Sequence, residues 1–425
     1  MESSRIEATG FGHSLRNPAF RNLFASSTTS ALGSALSLVS VSWIVYHYTG
    51  SALDIAYLGL TGIVPGVVLG LFAGVLADRY NRRSLMITAD LTRMAGMGLL
   101  TVVLFASGFS FALILATMIL VNCFSALFTP ASQAIVPRIV ARTSLEDANG
   151  LLQSSLGVAW SAGSAAGGIL VVLLGAVWGL GINALTYALS AVFLFQIASG
   201  LGRPLQDPSK SSAPFRKDLS EGMGYVLKHR PIFEVGFGYM PINFLSSLVT
   251  PFLVVYAATR FGGNAAVYGA LAAALAAGAA VGSLVGGRIA VRRFAGLSMG
   301  ASILIESGGY GLVAVSPSVA LALLGALSAG LAIGFANTVY YATIQAIVPG
   351  EFLGRVLSIG DFGSFVAIPA GLVAGGLLIA HYGVETSFLA ATVGIFLSGL
   401  VLLSLPGFRS FGRTPEPHGQ PPPLA

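Results

Sequence analysis

The chain has 425 residues, of which 55% are hydrophobic and only 9% charged, and its mean hydropathy is +0.83. A soluble domain carries about 25% charged residues, so this composition specifies an integral membrane protein and excludes a water-soluble one. The formal net charge is +6, but the basic residues are not gathered on a soluble face, which argues against a nucleic-acid partner; the single cysteine, Cys123, lies in an apolar run and excludes a disulfide framework or a cysteine-based metal site.

The first residues, MESSRIEATGFGHSLRNPAF, are polar, and the apolar run that follows is too long for the core of a cleavable signal, so it is expected to stay as a membrane helix. A bilayer core takes about 20 apolar residues per helix. Cutting the chain at charged and turn-rich breaks predicts twelve spans: 20–47, 53–77, 84–106, 110–136, 148–174, 177–200, 232–257, 265–290, 296–315, 318–345, 355–380 and 386–406. Twelve spans put both termini on one side. Of the 22 Lys and Arg, only Arg260 falls on the opposite face and Arg93 within a span, so the terminal side is expected to be the cytoplasmic side of a multi-pass protein of the cell membrane.

The longest internal connection, 201–231, starts as a Pro/Ser-rich linker. It then places Phe215, Leu219, Met223 and Val226 at helical spacing, which predicts an amphipathic helix on the inner membrane surface. After Leu405 the tail, ending PEPHGQPPPLA, is expected to be disordered. The expected organisation is a six-helix half over 1–200, the linker with its surface helix over 201–231, a second half over 232–406, and a cytoplasmic tail over 407–425.

Two landmarks recur at nearly the same offset. QAIVP occurs at Gln133–Pro137 and again at Gln345–Pro349, and GVLADRYNRR (Gly74–Arg83) lines up with GRIAVRRFAG (Gly287–Gly296), sharing glycine, alanine and arginine at Gly74 with Gly287, Ala77 with Ala290 and Arg79 with Arg292. Both follow equivalent spans, so parallel duplication explains them better than coincidence. Each QAIVP copy is expected to close the fourth span of its half, because proline disfavours helix in the residue before it.

The stretch Gly74 to Arg83 resembles the signature loop of the major facilitator superfamily, G-x-L-a-D-r-x-g-r-[RK], with only Asn81 standing where glycine is usual. The resemblance covers residues 15 to 406, and LRNPAFRNLFASSTTSALG, TADLTR and DLSEGMGYVLKHRP are similar to the branch of macrolide and siderophore exporters. It implies an all-α integral membrane fold of twelve transmembrane helices in two pseudo-symmetric six-helix halves. It further implies a secondary active transporter that exports a small amphipathic organic compound (a drug, siderophore or metabolite) by proton antiport and rocker-switch alternating access. Its partners are then the small-molecule substrate, protons and the lipid bilayer; no cofactor is implied, and a monomer is expected.

In the family the loop is a conformational latch, here Gly74, Asp78, Arg79, Arg82 and Arg83. Its physics can be argued from the residues. Gly74 allows close helix approach, Asp78 and Arg82 have ion-pair spacing on a helical turn, and the positive N-terminal end of span eleven would attract Asp78. Arg79 and Arg83 serve equally well as topology signals. The second copy carries Val291 where Asp78 sits, so the latch is one-sided.

The resemblance also implies that spans one, four, seven and ten line a central cavity. Those spans carry Ser37, Asn122, Asn243 and Asn337 among apolar residues, with Trp43, Phe124, Phe244, Tyr340 and Tyr341 nearby. An unpaired amide in lipid is unfavourable by several kcal/mol, so each Asn faces protein or water, either as a ligand or as a helix–helix hydrogen bond. A neutral-polar and aromatic lining suits an amphipathic organic molecule. For proton coupling the candidates are Asp361 in span eleven and, second, Glu306 in span nine, which has no local cation. Asp90 has Arg93 three residues on and reads as a paired structural charge.

Two departures bear on mechanism. Span four lacks the membrane-embedded arginine of many proton-coupled drug exporters, and in span five Gly163, Gly167 and Gly168 resemble the antiporter glycine motif with Ser164 in place of its proline. The nearest competing function is a proton-coupled importer of the same fold. A membrane-embedded lipid-modifying enzyme is the rival of another class, but His13, His47, His229, His381 and His418 are too scattered to assemble a catalytic set. The chain also has no GxxxxGK[ST] phosphate loop, which argues against an ATP-driven pump.

Overall fold

The computed structural model describes residues 13–202, 215–288 and 294–413, which form α-helices, short 3-10 turns and no strand. In chain order the helices are α1 (Pro18–Thr49), α2 (Ala52–Arg79), α3 (Arg82–Ser107), α4 (Phe111–Ile139), α5 (Leu145–Leu174), α6 (Ala176–Phe195), α7 (Phe215–Lys228), α8 (Arg230–Ser246), α9 (Leu253–Arg260), α10 (Ala265–Arg288), α11 (Ala295–Val315), α12 (Val319–Ile347), α13 (Gly350–Phe365), α14 (Ile368–Tyr382), α15 (Val384–Ser404) and α16 (Pro406–Ser410). Among the described residues eleven helical segments are long and apolar enough to cross a membrane, and Ala52–Gly66 of α2 is a shorter apolar one. They match the twelve expected spans, with α8 and α9 together forming the seventh and α13 and α14 the eleventh.

Helix starts follow local chemistry. Asn17, Ser51, Asn81, Ser110 and Ser318 each accept a backbone N–H of the turn they precede. Asn81, the departure from the signature loop, thereby gains a reason: it caps α3 and its amide donates to Ser199 O at 3.0 Å. Gly50 ends α1 at φ 60°, a left-handed backbone that favours glycine.

Four expectations need correction. Spans seven and eleven are each broken, at Ser247–Phe252 and at Val366–Ala367; Pro251 and Pro369 lack an N–H for the helix ladder at these points. Yet Pro241 sits inside α8 and Pro130 inside α4 without a break, so proline alone did not mark them. The tail expected to be disordered after Leu405 is ordered as far as Arg413: α16 buries Phe408, Phe411 behind it is also buried, and two ring-sized side chains removed from water hold the segment. The two QAIVP copies also end differently, because α4 runs through Pro137 to Ile139 whereas α12 stops at Ile347 and Pro349 caps α13. The linker helix is present as α7, but its described half packs on α13: Glu221 pairs with Arg355 at 2.7 Å and Tyr225 stacks on Phe352 with ring centroids 4.8 Å apart. The residues 203–214, 289–293 and 414–425 lie outside the described ones, and with them Val291, Arg292, Pro-rich tail and the polar linker.

The described residues sort into two compact units, one within Met1–Ser209, Pro251–Ala277 and Gly375–Val384, the other within Lys210–Thr250, Gly278–Ala374 and Glu385–Ala425. In the first, α1 packs on α5 and α6, and α3 on α4 and α6. The glycines of span five press against backbone: a Cβ on Gly163 would lie 2.4 Å from Leu32 O and one on Gly167 2.8 Å from Leu36 O. Small residues let the helices close where no hydrophobic force drives them together in lipid. In the second unit α11 packs on α12, and α8 on α13 and α16. Gly278 and Gly282 of α10 meet Leu327 O and Leu331 O of α12 in the same way.

Candidate functional site

In the second unit α8, α11, α12 and α13 enclose a narrow crevice lined by Asn243, Asn337, Tyr340 and Asp361, together with Tyr239 and Tyr341. Five of the residues singled out by sequence, Asn243, Asn337, Tyr340, Tyr341 and Asp361, therefore share one cavity. The lining holds one carboxylate and no Lys, Arg or His. Tyr341 Oη donates to Asp361 Oδ1 at 3.0 Å, and the Tyr340 and Tyr341 rings meet edge to face at 5.1 Å. Asn243 Nδ2 donates to Ser364 O at 3.0 Å, next to the break in span eleven, and Ser364 Oγ donates to Gly236 O at 2.8 Å. Close approach makes this possible: Gly236 and Gly360 face each other, a Cβ on Gly236 lying 3.3 Å from Gly360 Cα.

Sequence reasoning missed Tyr239, Ser364 and Phe365, which also line the crevice. Tyr239 stands one helical turn before Asn243 and Ser364 nearly one turn after Asp361, so spacing from the chosen residues was the available signal.

Glu306, on α11, is buried and accepts from Ser246 Oγ at 2.5 Å. One turn on, the Tyr310 hydroxyl pairs with Thr250 at 3.1 Å. Ser246 ends α8 and Thr250 opens the 3-10 turn, so α11 holds the start and the middle of the break in span seven. Phe244 sits beside that break, where a Cβ on Gly371 would lie 2.4 Å from its carbonyl oxygen.

The other singled-out residues lie elsewhere. Ser37 is buried in the first unit, where Asn183 Nδ2 donates to it at 2.8 Å across α1 and α6. Asn122 Nδ2 donates to Met118 O of its own helix at 2.9 Å. Phe124 packs on the core cluster around Phe20, Met86 and Phe128. Trp43 lines a separate groove in the first unit, stacked near His47. In the signature loop, Arg82 donates to Ala134 O at 2.9 Å and Arg83 to Leu194 O at 3.0 Å and Phe195 O at 2.8 Å. Cations on the last carbonyls of a helix complement its negative end, which is what Arg83 does for α6. The side chains of Asp78 and Arg79 and the surroundings of Gly74 lie outside what is described.

Asp90 and Arg93 form the buried pair that their spacing suggests. Ser190 Oγ donates to Asp90 at 2.6 Å, and the Arg93 guanidinium lies 4.7 Å from the Phe128 ring centre and 4.4 Å from that of Tyr187. The two rings and the carboxylate together replace the hydration a cation loses in lipid.

The chain is 28% identical over 402 residues to macrolide efflux protein A of Streptococcus pyogenes, covering 91% of this chain and 94% of that one. It is 26% identical over 428 residues to the multidrug efflux pump Tap of Mycobacterium tuberculosis, covering 95% and 97%. Among solved structures it matches the nucleoside transporter NupG with a TM-score of 0.73 and 13% identity, over 91% of this chain and 99% of that one. It also matches a POT peptide transporter in complex with alafosfalin, with a TM-score of 0.74 and 14% identity, over 95% and 97%. These structures are alike in fold, the twelve-helix fold of major facilitator transporters. The sequence pattern described as transmembrane secretion effector matches residues 9–425. A multi-pass helical chain with this fold, matched by that pattern over nearly its whole length, belongs to the transmembrane secretion effector family of the major facilitator superfamily.

Proposed function

We propose that the chain exports a small amphipathic organic compound across the cell membrane by proton antiport, with two six-helix halves rocking about a midplane site. The observation that carries the reading is the crevice in which Asn243, Asn337, Tyr340 and Asp361 meet: amides, hydroxyls and rings with a single carboxylate and no fixed cation. The crevice is about 20 Å³ in this state; widened as the halves rock, such a lining offers hydrogen bonds and apolar area to a compound with both, and it gives a sugar phosphate nothing to neutralise its charge. The efflux relatives support the direction, and the macrolide and drug named there are the first compounds to try.

Asp361 is assigned the coupling proton, with Glu306 as second carboxylate. The Tyr341 hydroxyl, which donates to Asp361, holds its side chain toward the crevice. Asp78, with Gly74, Arg79, Arg82 and Arg83 around it, is assigned the latch that favours one state of the cycle. The Lys and Arg distribution supports cytoplasmic termini. A monomer suffices, since the crevice is built from one chain.

The test is drug uptake into inverted membrane vesicles. The wild type is expected to accumulate the drug when the vesicle interior is acidified and to lose it on addition of a protonophore, while Asp361→Asn transports with no dependence on pH. Accumulation driven by a gradient of the opposite sense would establish an importer, and an unchanged pH profile in Asp361→Asn removes that residue from coupling.

A further inference from the structure

The C-terminal segment reaches the crevice from behind. Leu405 to Phe411 reads L-P-G-F-R-S-F, so Phe408 and Phe411 stand three residues apart, and both are fully buried. Just past α16 the Phe411 ring lies nearly parallel to that of Tyr340, at 20° with 6.5 Å between centres, and Tyr340 lines the crevice. We propose that Phe411 is a positioning residue: it holds Tyr340 in the crevice, so that the C-terminal segment forms the rear wall of the crevice and bears on which compounds fit.

Three of the helices that build the crevice hold this segment. On α8 the buried Glu234 accepts the Phe408 N–H at 2.7 Å and the Arg230 Nε–H at 2.5 Å, and the next residue, Val235, lines the crevice. Gly407 leaves room for that carboxylate, since a Cβ there would lie 2.6 Å from Glu234 Oε2. On α11 a Cβ on Gly296 would overlap the Phe408 carbonyl oxygen, and the Gly296 N–H donates to Phe411 O at 3.4 Å. Met299, three residues further along α11, lines the crevice. On α12 the contact is Tyr340 itself. Backbone bonds at Phe408 and at Phe411 therefore fix the place from which the Phe411 ring projects.

Two simpler roles fit less well. An anchor at the membrane interface would leave its rings facing lipid, and both rings are fully buried. A filler of the core needs no fixed register, yet here a buried carboxylate meets one particular backbone amide. Burying a charge is weak support for stability and well suited to fixing register. Tyr340 has a use for such support: its ring is edge-on to Tyr341, its hydroxyl abuts Gly360, and Phe411 is the ring set nearly parallel to it. That the crevice takes the exported compound rests on the function proposed above; that Phe411 sets Tyr340 does not.

The test is thiol labelling, which needs no drug. In the full chain carrying Cys123→Ser, Ala336→Cys puts the sole thiol on the crevice lining, one helical turn before Tyr340 and on the same face. N-ethylmaleimide is expected to react there about tenfold or more faster after Phe411→Ala. Phe411→Leu, a milder truncation, should give a smaller rise and serves if Phe411→Ala does not fold. Tyr340→Ala should raise the rate similarly, and adding Phe411→Ala to it should change little further, because the ring to be positioned is gone. Met97→Ala empties a fully buried site in the first unit and lowers the thermal transition, but should leave the rate unchanged. An unchanged rate in the Phe411 variants, independent effects of the two aromatic changes, or an equal rise in Met97→Ala would overturn the proposal. For selectivity, uptake of the macrolide erythromycin into inverted vesicles should show KM raised about threefold or more in Phe411→Ala with kcat kept. A lowered kcat at unchanged KM would also overturn it, since a merely destabilised chain loses active molecules and not affinity. A wild type that carries no erythromycin counts against the export reading alone, and the labelling rates still decide the proposal.

Discussion

Gly360 of α13 offers a clean test of how tightly the crevice is built. A Cβ at this position would lie 2.2 Å from Tyr340 Oη but 3.5 Å from Tyr340 Cζ, and these are the two heavy atoms within 4 Å. Ordinary contact begins at 3.4 Å, so Gly360→Ala overlaps the hydroxyl by about 1.2 Å and leaves the rest of the ring in normal contact. Tyr340 has little room to yield: it is nearly buried, with Tyr341 edge-on at 5.1 Å and Phe411 stacked at 6.5 Å. Overpacking of this kind costs about 1–3 kcal/mol. Thermal unfolding of the purified protein should fall by several degrees in Gly360→Ala. In the Tyr340→Phe background the clashing atom is gone, and the same glycine substitution should be nearly neutral, so the cycle yields a coupling close to the whole penalty. Equal destabilisation in both backgrounds would refute the reasoning, since the cost would then belong to the backbone of α13 and not to the contact.

Other parts of the chain give sharp expectations. Asp90→Asn or Arg93→Met alone should cost about 3–5 kcal/mol by stranding a buried partner, whereas the double change should cost clearly less than the sum; additive losses in thermal unfolding would deny the pairing. Glu234 is buried and accepts the Phe408 N–H at 2.7 Å, so Glu234→Ala should loosen α16 by about 1–3 kcal/mol and speed tryptic cleavage at Arg409 and Arg413 about tenfold or more; an unchanged cleavage rate would show that the two rings alone hold the tail. Asp78→Asn should lower turnover in proteoliposomes while leaving folding and ligand affinity intact, and wild-type transport by that variant rejects the latch assignment.

Hydropathy carried most of the fold because membrane spans are a matter of summed composition, and sixteen helices reduce to twelve crossings once the two broken spans are joined and α7 and α16 are set aside. The breaks themselves escaped, since a window average is blind to which backbone amide lacks a partner: Pro241 and Pro251 look alike in sequence, and only Pro251 sits in a break. The tail was misread for a related reason. Its composition is polar and proline-rich over the last dozen residues, and that impression swamped Phe408 and Phe411 just ahead of them. For the site, the reasoning that a membrane-buried amide needs a partner holds for Asn122 and Asn243, but it could not name the partner. Asn243 found a carbonyl across a helix break, Asn122 one on its own helix, and Ser37 an amide from α6 that sequence gave no reason to pair with it.

The repeated pentapeptide amounts to a controlled comparison made within one chain. Gln133–Pro137 and Gln345–Pro349 start identical, yet the first is followed by two more helical residues and a 3-10 turn, Arg142–Ser144, before α5, the second by an immediate start of α13. What differs is the sequence downstream, Arg138-Ile139 against Gly350-Glu351. The proline therefore permits a corner without dictating one, and duplicated sequence has here been bent to two shapes: a corner drawn out through the 3-10 turn Arg142–Ser144 in one copy and an immediate elbow into α13 in the other. Exchanging the residues after each proline should exchange the corners, and the copy that loses its elbow would lengthen the connection that leads directly into the broken eleventh span.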